Sequence, residues 1–180
     1  MINLDFFMEL NDRHSYQNDD QVLIEFSRLL EKICRDSDWL IRWGGAEFLV
    51  LTRRTEIDGM ARLAQRLQDE IGNHTFTLSD GEEMLLHCSI GFTCYPFCAA
   101  APRSLSWEPT LQIADLAMHA ATQSGSDTWI GLHAVKGDPG EWVEHLFSDP
   151  YPLITNGDVV LQTSLPDISE VVWPKPAVIK

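Results

Sequence analysis

The chain opens on apolar residues, Met1-Ile-Asn-Leu-Asp-Phe-Phe-Met8, read as a strand over 2–8. A polar stretch follows, Glu9 to Asp20, with Asn11, Asp12, Asn18, Asp19 and Asp20. It reads as a loop that ends in a helix cap, because Asn and Asp side chains satisfy turn and helix-start N–H groups. Val22, Leu23, Phe26, Leu29, Leu30 and Ile33 then recur at the 3.6-residue period, which predicts a helix to about Arg35. Next come two β-prone runs, Trp39-Leu-Ile-Arg-Trp and Phe48-Leu-Val-Leu, around Gly44-Gly45. They predict strands at 38–43 and 46–52 joined by a tight turn on the two glycines.

A second amphipathic helix is expected with Ile57, Met60, Ala64, Leu67 and Ile71 on one face, and Arg62 and Arg66 side by side away from it. Strands over 75–78 and 84–95 flank a turn at Ser79-Asp-Gly-Glu82. A loop over 99–109 leads to a helix over 111–123, stopped at Ser124-Gly125. A short strand over 128–132 completes the pattern. The order predicts one α+β domain, a central, mainly antiparallel sheet flanked by helices. After about residue 134, nine Gly and Pro residues from Gly137 to Pro176 break up the apolar stretches. We read a domain at 1–134 and an extension at 135–180, with a short helix near 140–147 and a strand at 158–164. The aromatics Trp142, Phe147 and Trp173 predict that this extension packs on the domain.

Charge narrows the function. A formal net charge of −14 argues against nucleic acid or an anionic membrane surface as partner. An anionic ligand must therefore find a local cationic pocket. The cations suit that role, since nine are Arg and four are Lys, and Lys32 is the only lysine before residue 136. Arg offers planar, bidentate recognition of phosphates and guanine edges. Cys34, Cys88, Cys94 and Cys98 form no C-x-x-C pair; reduced, partly buried thiols in a cytoplasmic protein are expected. No apolar run approaches the ~18 residues that cross a bilayer. A core strand at the first residue leads us to expect an upstream domain in a longer protein, cytoplasmic or the cytoplasmic part of a membrane-attached one.

Trp43-Gly-Gly-Ala-Glu-Phe48 resembles the Gly-Gly-Asp/Glu-Glu-Phe signature of the GGDEF family of diguanylate cyclases, with Ala46 at the third position. Other stretches extend the resemblance over 2–132: Asn3-Leu-Asp5-Phe-Phe7-Met8 with Asn11-Asp12, Asp19-Asp20, Ser89-Ile90-Gly91, and Ala114-Asp115-Leu-Ala117 through Gly125-Ser126-Asp127. The resemblance implies the nucleotidyl-cyclase-like GGDEF fold and cyclic di-GMP signalling.

In that family two GTP molecules are joined with the help of divalent cations, which need hard oxygen ligands. The positions that supply metal ligands are Asn3 and Ala46 here, with Glu47 beside them at the rim; those that supply phosphate cations are Met8, Thr122 and Ser126. The losses converge on one function, so the resemblance implies an inactive, degenerate cyclase without metal or cofactor. Asn11 and Asp20 match family guanine contacts; they read equally as a turn former and a helix N-cap. Arg35-Asp-Ser-Asp38 stands at the spacing of the family's inhibitory Arg-x-x-Asp site, which binds cyclic di-GMP, and Arg66 matches a further arginine there, with Arg62 able to meet a phosphate. Arg pairs with guanine O6 and N7, and Asp accepts from guanine N–H groups. The expectation is a cyclic di-GMP receptor module fused to an upstream sensor, with homodimerisation open. The alternatives are a protein-interaction scaffold that binds no nucleotide, and a weak GTP-binding regulator.

Overall fold

The structure is a computed structural model that describes residues 1–7, 16–78 and 81–175. The expected residues Met8 and Asn11 lie outside the described residues.

Strand β1 spans Ile2–Leu4. It is shorter than the 2–8 expected, because Phe6 takes the left-handed φ of +58° and turns the chain away. Helix α1, Tyr16–Ile33, buries Val22, Phe26 and Leu30. It begins before Asp20, so Asp20 lies a turn inside the helix, exposed, and is not its N-cap. Strands β2 (Trp39–Gly44) and β3 (Glu47–Leu51) form the hairpin. Its two-residue turn falls on Gly45-Ala46, one residue later than expected, since Gly44 pairs with Glu47. Gly45 supplies the positive φ, +48°, and an irregular register between Arg42 and Gly44 makes the shift. Trp39 is 65% exposed.

Helix α2 (Ile57–Gly72) buries Ala64, Leu67 and Ile71, as its periodicity requires. Strands β4 (Thr75–Thr77) and β5 (Glu83–Leu85) pair only with each other, and β6 (Cys88–Phe92) runs through the centre of the main sheet. The single run expected over 84–95 is thus two strands in two sheets. Helix α3 (Trp107–Gln123) precedes β7 (Trp129–Ala134). Helices α4 (Pro139–Ser148) and α5 (Tyr151–Thr155) lead to β8 (Val159–Thr163).

The six-stranded sheet has the order β2-β3-β1-β6-β7-β8. Only β6 and β7 run parallel. Helices α1 and α2 cover one face, where Phe26 meets Phe48 at 5.1 Å between ring centres. Helix α3 covers the other. A Cβ at Gly91 would meet Met118 N at 2.0 Å and Ala114 O at 2.2 Å, so only glycine lets α3 lie this close to β6. The segment after 134 joins α3 in a second core through Val143, Leu146, Leu153 and Val159. Its strand β8 hydrogen-bonds along β7 from Ala134 to Ile130.

Candidate functional site

Three elements converge at the end of the hairpin opposite its turn. The loop after α1 brings Arg35 and Asp38, the end of β3 brings Thr52, and α2 brings Arg62 and Arg66. Together they line a depression of about 330 Å³, with Thr55 and Gly59 at its wall. The loop shape comes from Asp38, whose Oδ2 accepts from the Arg35 backbone N–H at 3.0 Å, while the Asp38 N–H donates to the Arg35 carbonyl at 2.9 Å. This Asx-type closure is what the sequence Arg-Asp-Ser-Asp favours. Arg66 is anchored by a bond from Nη2 to the Ile33 carbonyl, 2.6 Å, which docks α2 against the end of α1. Burial and the nearby Asp38 carboxylate push the Cys34 thiol up; Arg66 opposes them. The four predicted residues Arg35, Asp38, Arg62 and Arg66 are therefore brought together. Three arginines and one aspartate line the depression, a locally cationic spot on an acidic chain.

The rim at the hairpin turn has the opposite character. Asn3 lies in register between Glu47 of β3 and Ser89 of β6, so the three side chains share one face. The Ala46 carbonyl accepts from the Leu4 N–H at 3.1 Å. Thr122 and Ser126 sit at the end of α3 and in the turn beyond it. The Thr122 hydroxyl is turned back to the Met118 carbonyl at 3.2 Å. Among the described residues the rim offers the Glu47 carboxylate and the neutral amide of Asn3, while the nearby Asp5 carboxylate is already taken up by Ser89 and the Asp127 N–H. Divalent cations on a triphosphate ask for several hard anionic oxygens, and this set does not fit them. Among the described residues no group of three His, Cys, Asp or Glu is placed to hold a metal. All four cysteines are free. Asp20, predicted for a guanine pocket, lines a different groove on the outer side of α1 with Arg28, Lys32 and His74.

One residue of note escaped the sequence reading. Asp5 is 2% exposed. It accepts from Ser89 Oγ at 2.7 Å and from the Asp127 N–H at 2.9 Å. Burial raises its pKa, and these two bonds work against the rise. Asp5 thereby ties β1 to the turn after α3, where Ser126 and Asp127 hold φ of +62° and +45°. Gln68 of α2 reaches the Asp127 carbonyl as well. Thr52, Thr55 and Gly59 were also missed. Their only sequence signal is proximity to the arginines of α2.

A model of the family described as diguanylate cyclase, GGDEF domain, matches residues 1–128. The chain belongs to the GGDEF family. The response regulator PleD of Caulobacter vibrioides is 33% identical over 135 residues, 74% of this chain and 29% of that protein. A delta-N mutant of PA1120 (TpbB or YfiN) from Pseudomonas aeruginosa, comprising only the GGDEF domain, is 26% identical with a TM-score of 0.62, covering 80% of this chain and 78% of that one. The GGDEF domain of DgcB from Caulobacter crescentus, crystallised in complex with c-di-GMP, has the same fold at 21% identity and a TM-score of 0.62, covering 70% of this chain and 71% of that one. The chain spans about a third of the length of curated relatives it matches, between 29% and 33%. No helix among the described residues is long and apolar enough to cross a membrane.

Proposed function

We propose that this GGDEF domain binds cyclic di-GMP in the arginine pocket and does not synthesise it, acting as a receptor module within a longer cytoplasmic signalling protein. The observation that carries the reading is the convergence of Arg35, Asp38, Arg62 and Arg66, separate in sequence, on one depression. Arg35 or Arg66 donates to a guanine Hoogsteen edge, Asp38 accepts from guanine N1 and N2, and the remaining guanidinium meets a phosphate. The c-di-GMP complex of DgcB, a domain of the same fold, agrees with this ligand class. The neutral donor set of Asn3 and Ala46, beside Glu47, supports the absence of turnover, because electrostatic stabilisation at the phosphates is usually the largest catalytic term. An upstream sensor fits the fraction of its relatives' length that the chain covers.

The test is calorimetric titration with cyclic di-GMP and with GTP, each with and without magnesium, together with a product assay. Saturable binding of cyclic di-GMP independent of magnesium, with no product from GTP, is expected. Product from GTP, or no binding at high micromolar ligand, overturns the reading. A scaffold function is favoured by one observation. Asp38 and Arg66 already hold backbone groups, the Arg35 N–H and the Ile33 carbonyl, and so brace the α1–β2 junction without any ligand. A chain that binds neither nucleotide is that scaffold; one that binds only GTP is a GTP-binding regulator.

A further inference from the structure

One edge of the main sheet carries apolar side chains that no helix covers. Strand β2 stands at that edge and pairs only with β3 among the described strands. Ile41 lies opposite Leu49 and Trp39 opposite Leu51, and directly opposed residues share a face of the sheet. Leu49 packs with Met1, Ala114 and Met118, so this is the face on which α3 lies. The cover stops there, because α3 packs against β6, β7 and β1. Beyond Leu49 the same face is open: Trp39 is 65% exposed, Leu51 42% and Ile41 38%. Trp43, 52% exposed, stands beside them at the irregular step of the strand. Sheet edges are commonly guarded by lysine, proline or inward-pointing charge, which discourage pairing with another chain. β2 has neither lysine nor proline, and its regular part, Trp39 to Arg42, holds a single charge.

We propose that β2 is a self-association surface, pairing antiparallel with β2 of a second copy of this chain about a two-fold axis at Leu40. The inference goes beyond the receptor reading and does not depend on it. A two-fold axis makes every contact occur twice. In this register Asp38, just before the strand, faces Arg42 of the second copy, and Trp39 faces Ile41 of the second copy. Opposite charges and aromatic–β-branched pairs are both favourable between neighbouring strands. The Arg42 guanidinium gives Nε and Nη2 to the Gly45 carbonyl and has further N–H donors for a carboxylate. An axis one residue later, at Ile41, sets Leu40 against Arg42, loses the charge pair and draws in the irregular step at Trp43. The open apolar side chains supply roughly 450 Å² per copy, taking ~250 Å² for a whole tryptophan. The pair then buries on the order of 900 Å², just under the ~1,000 Å² of a stable specific interface. Backbone hydrogen bonds along the joined edges add to it. This size fits a weak, reversible dimer.

The test is sedimentation equilibrium of the whole chain from low to several hundred micromolar. Salt of about 300 mM screens the repulsion between copies of net charge −14. The expected result is a monomer at low concentration that becomes a dimer as concentration rises. Trp39→Lys and Ile41→Lys change exposed side chains, so each should melt like the parent and stay monomeric throughout. Arg42→Glu sets like charges opposite each other and should weaken the dimer roughly tenfold. Hydrogen exchange at high concentration should slow at the amides of β2 and leave those of β8, the other edge, unchanged. A parent that stays monomeric at the highest concentration overturns the inference. So does a dimer that survives both lysine variants, or one whose β2 amides exchange at the monomer's rate. A dimer indifferent to Arg42→Glu overturns the register.

Discussion

At the scale of single residues, the pocket and the buried acid give the sharpest expectations. Arg35→Ala removes a charge-assisted hydrogen bond worth about 1.5–3 kcal/mol, or roughly 10- to 150-fold in affinity for cyclic di-GMP. Asp38→Ala loses selectivity for guanine over adenine in the ligand by a similar factor. It also opens the loop, because the Arg35 N–H loses its acceptor; competition titrations with cyclic di-GMP and cyclic di-AMP measure the selectivity directly. Asp5 makes a prediction of a different kind. Burial raises its folded-state pKa above the ordinary carboxylate value near 4. A raised folded pKa means that the folded chain holds the proton more tightly than the unfolded one. The contribution of Asp5 to stability is therefore full below about pH 4 and declines as pH rises through its raised value. Asp5→Asn keeps one acceptor and stays neutral, so its stability should vary less with pH above 4 than the parent's. Urea denaturation across that range tests it; identical pH profiles would rule out Asp5 as a source of pH dependence.

At the scale of elements, the hairpin and the C-terminal segment each carry an expectation. The pocket lies at the open end of the β2–β3 hairpin and the rim at its turn, five residues of β3 apart, or about 17 Å at the rise of a strand. Substitutions at the turn should leave the pocket untouched. Ala46→Asp restores one acid at the rim, yet Asn3 stays neutral and Thr122 and Ser126 carry no charge. We expect no diguanylate cyclase activity from this variant with magnesium or manganese, and unchanged affinity for cyclic di-GMP; turnover after this one change would show that the other losses do not matter. In the C-terminal segment, Leu146 is 0% exposed in the core that the segment shares with α3 and β7. Leu146→Ala should destabilise the whole domain by about 2–5 kcal/mol. Thermal unfolding of the variant as a single transition at lower temperature is the expected result. An unaltered melt with loss of protection only in α4 and α5 would mean that the segment is not coupled to the domain.

At the scale of the whole molecule, the acidic surface and the cationic pocket work against each other. A ligand with two phosphates approaches a chain of net charge −14, so long-range attraction is weak and affinity is local. Raising salt screens the phosphate contacts but spares contacts to base edges. Affinity for cyclic di-GMP should therefore fall only a few-fold between about 50 mM and 500 mM salt, far less than a protein held by phosphate contacts alone loses. A much steeper loss would assign the binding to phosphate contacts and remove Asp38 from the account.

The element order, the amphipathic faces of α1 and α2, and the α+β class follow from hydrophobic period and turn residues, which are local properties of the chain. The same is true of the family signature and of the residues Asn3 and Ala46 within it, because each is read at one position. Boundaries were less legible. The end of β1 at Phe6, the turn at Gly45 and the start of α1 shifted because backbone twist and long-range pairing, not propensity, end a strand or place a turn. The identity of the pocket residues and their meeting were implied by the family resemblance, yet the contact that holds them together was not. Arg35 and Arg66 are 31 positions apart, and only the docking of α2 on the end of α1 through the Ile33 carbonyl brings them to one depression. Asp5 reads only as part of the motif stretch; its buried bonds to Ser89 and Asp127, 84 and 122 positions away, are set by the fold. Burial and volume are properties of the packed chain, and a linear sequence holds neither.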